Sequence, residues 1–228
     1  MVFTTKFLLG RLSAWKEYIT LCSDGTYKIC INKLIAYLIG VRDAQGKMHL
    51  CALALVKSES TASLTAVFAS VLKAASAVAG YDVTKTIKHT MTDNCSAAFA
   101  ALSATLPLVT QKGNCLWHFL QALLTHKSKF KDPARYAEFM ACVRAIAAVT
   151  HTDLHDTLIE KLLEDFADEP EAMDWFKEYW CGERGYWYFL TIFGVRSNSG
   201  MEALNRAFKA HFNNRTVIAS DKLLSHIT

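Results

Sequence analysis

The chain has 228 residues, 52% of them hydrophobic and 20% charged, which excludes a disordered segment and allows one large domain or two small ones. Its formal net charge of +4 is compatible with a polyanionic partner without requiring one. With only three prolines and ten glycines no flexible linker is expected, and no repeat or low-complexity tract interrupts the chain.

The seven cysteines are odd in number and scattered, with no CxxC pair, which fits a reducing intracellular compartment better than a disulfide framework. No uninterrupted apolar run reaches the ~18 residues of a membrane span, so no membrane partner is expected. The four-residue apolar core at Phe7–Gly10 is too short for a secretory signal.

In chain order, residues 1–17 read as a lead-in. Residues 18–23 form a β-prone run that ends at Asp24-Gly25. Residues 34–41 and 48–56 are two further apolar runs, joined by the polar turn Arg42–Lys47, so the three make an antiparallel meander. The period then changes: Leu64, Val67, Phe68, Val71 and Leu72 lie on one face of a helix over 61–79, with Gly80 as its stop. A strand over 85–92, a helix over 96–102 and a brief strand at 108–110 follow. The expected order is β-β-β-α-β-α-β.

From residue 116 the pattern is almost entirely helical, with helices over 117–124, 134–149, 154–166 and 172–180. A last helix covers about 201–211. The expected division is a core over 18–115, a helical insertion over 116–190, and the last core helix with a tail over 191–228.

Three carboxylates sit at element junctions. Asp24 ends the first strand of the meander, Asp93 lies where the fourth strand gives way to a helix, and Glu202 is in the first turn of the last helix. Each has a structural alternative: Asp24-Gly25 as a hairpin turn, Asp93 as a helix cap, and Ser199-Gly-Met-Glu202 as a capping box. Together they suit phosphodiester chemistry, in which carboxylates from separate elements hold two hard cations ~3.5–4 Å apart. On the last helix Glu202, Asn205, Arg206 and Lys209 fall at i, i+3, i+4 and i+7. They share a face, while Met201, Leu204 and Phe208 lie on another. Such a polar face suits a metal beside a phosphate backbone, or simple solvation.

Cys115 and His118 have the spacing of half a zinc site, but no second close pair accompanies them. The aromatic group Trp175, Phe176, Tyr179, Trp180, Tyr186, Trp187, Tyr188 and Phe189 is expected to be mostly core, with one or two rings free to stack on a base. The segment from His126 to Lys131 could contact phosphates or form a solvated loop.

Several of these segments resemble motifs of the Mutator-like (MULE) transposases. Asp24-Gly25-Thr26-Tyr27-Lys28 is similar to the first acidic motif. Asp43-Ala44-Gln45-Gly46 is similar to the turn between the second and third strands, and Ala54-Leu55-Val56-Lys57-Ser58-Glu59 to the entry of the first helix. Thr92-Asp93-Asn94 with Ala97-Ala98 resembles the second acidic motif. Cys115-Leu116-Trp117-His118 resembles the CxxH motif. The run from Ser197 through Lys209 resembles the third, with Ser197 and Ser199 flanking Asn198 where a Thr-Asn-Asn run is more usual. The resemblance covers about residues 18–210.

It implies an α/β, RNase H-like mixed sheet with flanking helices and an all-helical insertion before the last catalytic helix. It implies a catalytic, metal-holding triad of Asp24, Asp93 and Glu202 with two Mg²⁺ or Mn²⁺ ions. Cys115, His118, Asn198, Asn205, Arg206 and Lys209 are then expected near the DNA or behind the triad. The implied activity is DDE-type transposition: cleavage at element ends and strand transfer into target double-stranded DNA, in a homo-oligomer, in the nucleus. No Cys/His-rich DNA-recognition module flanks the domain, so the expectation is a fragment or a degenerate copy. Two alternatives stand beside it: a domesticated, non-catalytic DNA-binding regulator, and a nuclease acting on hybrids or junctions.

Overall fold

The computed structural model describes residues 1–14, 19–27, 33–182 and 199–213, with side chains in the last helix described to residue 210. Two compact units emerge, Met1–Lys112 with Asn198–Thr228, and Gly113–Ser197. The described residues form an α/β protein with one mixed six-stranded sheet and eight α-helices.

The first unit begins with a two-residue edge strand β1 (Val2–Phe3) and a short helix α1 (Lys6–Ala14). The meander follows as β2 (Thr20–Thr26), β3 (Ile35–Arg42) and β4 (Met48–Val56). Then come α2 (Thr61–Ala79), β5 (His89–Thr92), α3 (Ser96–Thr105) and β6 (Gln111–Asn114), which reaches the boundary between the units. The last helix is α8 (Ser199–Asn213). The strand order is β1-β4-β3-β2-β5-β6. β2–β3, β3–β4 and β1–β4 pair antiparallel, and β2–β5 pair parallel.

Alternation along the strands divides the unit. Leu21 of β2 and Ile35, Tyr37, Ile39 and Val41 of β3 pack with Leu9 and Leu12 of α1, Leu64, Phe68, Val71 and Leu72 of α2, and Leu102 of α3 in one core. Residues of opposite parity, including Asp24, face the other way. That side receives α8, which contacts β2, β3 and β4. Glycines admit it: a Cβ on Gly200 would lie 2.7 Å from Met48 Cβ, and one on Gly40 would lie 2.7 Å from the His49 carbonyl and 3.1 Å from Met201 Sδ. Gly40 also adjoins the register shift of β3 against β4.

The expectations require several corrections. α1 and β1 occupy what was expected to be a lead-in. The strand expected over 85–92 is shorter, because Asp82 caps a 3-10 turn at Val83–Lys85 with its side chain on the Thr84 N–H. The strand expected at 108–110 lies at Gln111–Asn114. Although no uninterrupted apolar run was found, α2 is by length and composition able to span a membrane. Here its buried residues Leu64, Val67, Phe68, Val71, Leu72 and Ala75 belong to the core. Ser60 caps its start, and Gly80, at φ 76°, ends it in the left-handed conformation that favours glycine.

The second unit contains α4 (Leu116–Thr125), α5 (Pro133–Ile146), α6 (Thr152–Asp165) and α7 (Pro170–Trp180). Its core is aromatic: Phe119, Phe139, Phe176 and Trp180 are buried together, and Phe139 meets Phe176 edge-on at 5.2 Å between ring centres. Asp132 caps α5 through the Ala134 N–H, with Pro133 at the first position. Buried Glu169 accepts from the Lys131 and Asp132 N–H groups, so its charge has fixed donors.

Candidate metal-binding carboxylate site

Asp24 lies inside β2, opposite Leu38 of β3, and the strand runs on to Thr26. This corrects the expected strand end and removes the hairpin-turn alternative. In the parallel β2–β5 pair Cys22 is matched to Met91. Asp24 and Asp93 each lie two residues further on, so they leave the same end of neighbouring strands, which are typically about 4.8 Å apart. Asp93 is not the cap of α3, because that position belongs to Cys95. Its carboxylate instead accepts from the Cys95 N–H.

α8 supplies two groups. Asn205 is buried and its Nδ2 donates to Asp24 Oδ2 at 2.6 Å. Glu202 is half-buried and its charge acts on Asp24. The expected single polar face therefore splits: Asn205 joins Met201 on the buried side, while Arg206 is exposed and Lys209 half-buried. The i, i+4 relation of Met201 and Asn205 explains the split, since it places both toward the sheet.

Electrostatics shows how crowded this end of the sheet is. Burial, then the Asp93 charge, and more weakly Glu202 and Glu59, push the Asp24 carboxyl up to about 7 against the pull of Asn205. Burial also raises Asp93, against its bond from the Cys95 N–H. Burial and Asp93 raise Glu59, while its bond from Tyr27 pulls the other way. A like-charged set of hard oxygen donors is what a divalent cation relieves, so the residues fit Mg²⁺ or Mn²⁺.

Glu59 was not singled out from the sequence, although it closes the stretch Ala54–Glu59 that carries part of the family resemblance. It precedes Ser60, the cap of α2. Tyr27 OH donates to Glu59 Oε2. A Cβ on Gly25 would overlap Glu59 Oε1, so the missing side chain lets this carboxylate lie over β2.

Cys115 is buried at the cap of α4 and His118 is in its first turn, its ring edge-on to Trp117 at 4.9 Å. Both belong to the second unit, whereas Asp24, Asp93 and Glu202 belong to the first. Asn198 lies outside the described residues, as do Tyr186, Trp187, Tyr188 and Phe189. Phe176 and Trp180 are core, whereas Trp175 stacks on His126 at 4.4 Å and Tyr179 is 39% exposed. In the His126–Lys131 segment Lys129 pairs with Glu171 at 3.0 Å and Lys131 Nζ donates to the Asp168 carbonyl, which leaves less of its charge for phosphates.

Residues 20–122 match the family described as the MULE transposase domain. This span includes Asp24, Glu59 and Asp93. No curated protein matches the chain.

Proposed function

We propose that the chain, whose residues 20–122 match the MULE transposase domain, is a DDE-type catalytic domain that cleaves and joins DNA with divalent metal ions held by Asp24, Asp93 and Glu202. The observation that carries this reading is the charge coupling of Asp93 and Glu202 to a buried Asp24 that Asn205 anchors. The strand order supports an RNase H-like fold, with Asp24 on a central strand, Asp93 at the end of its parallel neighbour, and Glu202 on a helix laid against the sheet.

Each residue has its own task. Asn205 fixes the Asp24 carboxylate in one orientation, and the Cys95 N–H does the same for Asp93. α8 presents Glu202, with Arg206 and Lys209 one and two turns further on as phosphate contacts. Bound cations would activate the attacking oxygen and stabilise the leaving oxygen of a phosphodiester. The reaction is hydrolysis at an element end to release a 3′-hydroxyl, followed by attack of that hydroxyl on target DNA. No covalent protein–DNA intermediate forms, because the nucleophile is water or DNA. The partners are double-stranded DNA and further copies of the chain, since two ends must be joined, and the nucleus is the compartment of that substrate.

The test is cleavage of duplex DNA in Mg²⁺ or Mn²⁺ by the wild-type protein and by Asp93→Asn. Metal ions contribute several kcal/mol of charge stabilisation, so the variant is expected to lose at least about a hundredfold in rate while keeping its fold. Equal rates would remove Asp93 from the reaction. Faster cleavage of an RNA–DNA hybrid than of duplex DNA would favour the nuclease alternative.

A further inference from the structure

α7 and the end of α4 border an open pocket of about 630 Å³, made wholly of residues of the second unit. That volume is usual for a ligand site. We propose that this pocket binds an arginine side chain of a basic peptide segment, with the guanidinium laid on the Trp175 and Tyr179 rings and held by the Asp174 and Glu178 carboxylates.

The helix itself sorts the two kinds of group. Glu171, Asp174 and Glu178 fall at i, i+3 and i+7 of α7, and Trp175 and Tyr179 at i+4 and i+8, so an acidic stripe runs beside an aromatic one. His126 extends the aromatic row: its ring lies 4.4 Å from Trp175 at 21°, and Trp175 lies 6.2 Å from Tyr179 at 29°. The three rings are therefore nearly parallel. The row is fixed from behind. His126 Nδ1 donates to the Ala122 carbonyl at 2.8 Å, and buried Trp180 in the pocket wall packs on Phe119 at 4.7 Å between ring centres. Tyr179 is 39% exposed and Trp175 is half-buried, so ring surface remains open to a ligand.

Charge selects the ligand. Glu171 pairs with Lys129 at 3.0 Å, whereas Asp174 and Glu178 form no ion pair among the described residues. Both are exposed, and they repel one another at i, i+4. A cation between them removes that repulsion. The phosphates of a nucleic acid would instead meet these carboxylates, so the pocket does not suit the unpaired base that aromatic rings alone would admit. Arginine matches both stripes: its flat guanidinium stacks on aromatic faces, and its donors fork onto carboxylates. A lysine ammonium lacks the flat surface that a parallel row of rings matches.

None of these residues belongs to the carboxylate site of the first unit, so binding here is tested without metal. A short capped peptide of alternating glycine and arginine is titrated by calorimetry into the full chain. The proteins are wild type, Asp174→Asn combined with Glu178→Gln, Tyr179→Ala and Tyr179→Phe. The same peptide with citrulline for arginine, and a short single-stranded oligothymidine, are titrated into wild type and Tyr179→Ala. Wild type should bind the arginine peptide. The paired acidic substitution should weaken binding by about tenfold or more, the scale of lost charge-assisted hydrogen bonds. Tyr179→Ala should weaken it by about threefold to tenfold, the scale of a cation–π contact, and Tyr179→Phe should restore it. Citrulline is flat but neutral, and its peptide should bind at least about tenfold more weakly than arginine. The paired substitution exchanges exposed carboxylates for amides of the same shape, so its melting temperature should not fall.

A folded wild-type protein that does not bind the arginine peptide overturns the proposal. Equal binding by the paired variant, or equal binding of the citrulline peptide, overturns it as well. Oligothymidine binding that Tyr179→Ala weakens, without arginine-peptide binding, assigns the rings to a base and overturns it too.

Discussion

Asn205 and Asp24 show how a single contact sets the chemistry of a group. The Asn205 amide favours the ionised Asp24 carboxyl, while burial and the neighbouring acids favour its protonated form, and the balance stands near pH 7. Because this carboxyl is raised above its unfolded value near 3.8, the folded state holds a proton that the unfolded state has lost between about pH 4 and 7. The metal-free protein should therefore lose stability as pH rises through that window. Asp24→Asn should flatten this dependence and raise metal-free stability at pH 8, by on the order of 2–4 kcal/mol. Urea unfolding at pH 5 and pH 8 measures it, and a variant less stable than wild type at pH 8 would contradict it. Asn205→Ala should do the reverse. It removes a buried hydrogen bond to a charged group worth about 1.5–3 kcal/mol at pH 8, with a smaller cost at pH 5 where Asp24 is protonated. At this scale the sequence was informative about types and poor about partners. Asp24, Asp93 and Glu202 could be picked out by their places beside strands and helices. Glu59 could not, because its relation to Gly25 and Tyr27 spans more than thirty residues and has no local pattern.

α8 must approach the sheet closely for Asn205 to reach Asp24, and its seat is built from glycine and methionine. Gly200→Ala would bring a methyl group 2.7 Å from Met48 Cβ, so the first turn of the helix must move away with Glu202. The expected cost is about 1–3 kcal/mol of stability together with weakened cation binding. Calorimetry and Mn²⁺ titration of the same variant check the two parts, and unchanged melting would mean that the turn accommodates the methyl. Periodicity exposed the long elements, because α2 and the helices of the second unit carry apolar stripes. It missed α1, which buries only Leu9 and Leu12, and β1, whose two residues depend on pairing with β4. β6 escaped because Gln-Lys-Gly-Asn has no β-prone side chain, so only its place in the sheet makes it a strand.

Among the described residues two hydrophobic cores form, one between the sheet and α1–α3 and one among the aromatic side chains of α4–α7. Phe139→Ala should cost about 3–5 kcal/mol in the second core. Hydrogen exchange should show protection lost mainly in α4–α7, with β2, β3 and β5 retained; equal loss in both would mean one cooperative unit. The sequence revealed the change from mixed α/β to helical pattern near residue 116, because the period of the apolar residues changes there. Which side chains meet in the first unit depends on the sheet order, and strand periodicity does not encode that order.

On the proposed function, Asp24, Asp93 and Glu202 hold divalent metal. The most direct measurement is anomalous diffraction from crystals of the wild-type protein grown with Mn²⁺. Anomalous peaks bounded by these three carboxylates are expected, and they should be absent from Asp93→Asn crystals. Ordered carboxylates with no metal between them, or Mn²⁺ bound only elsewhere, would contradict it.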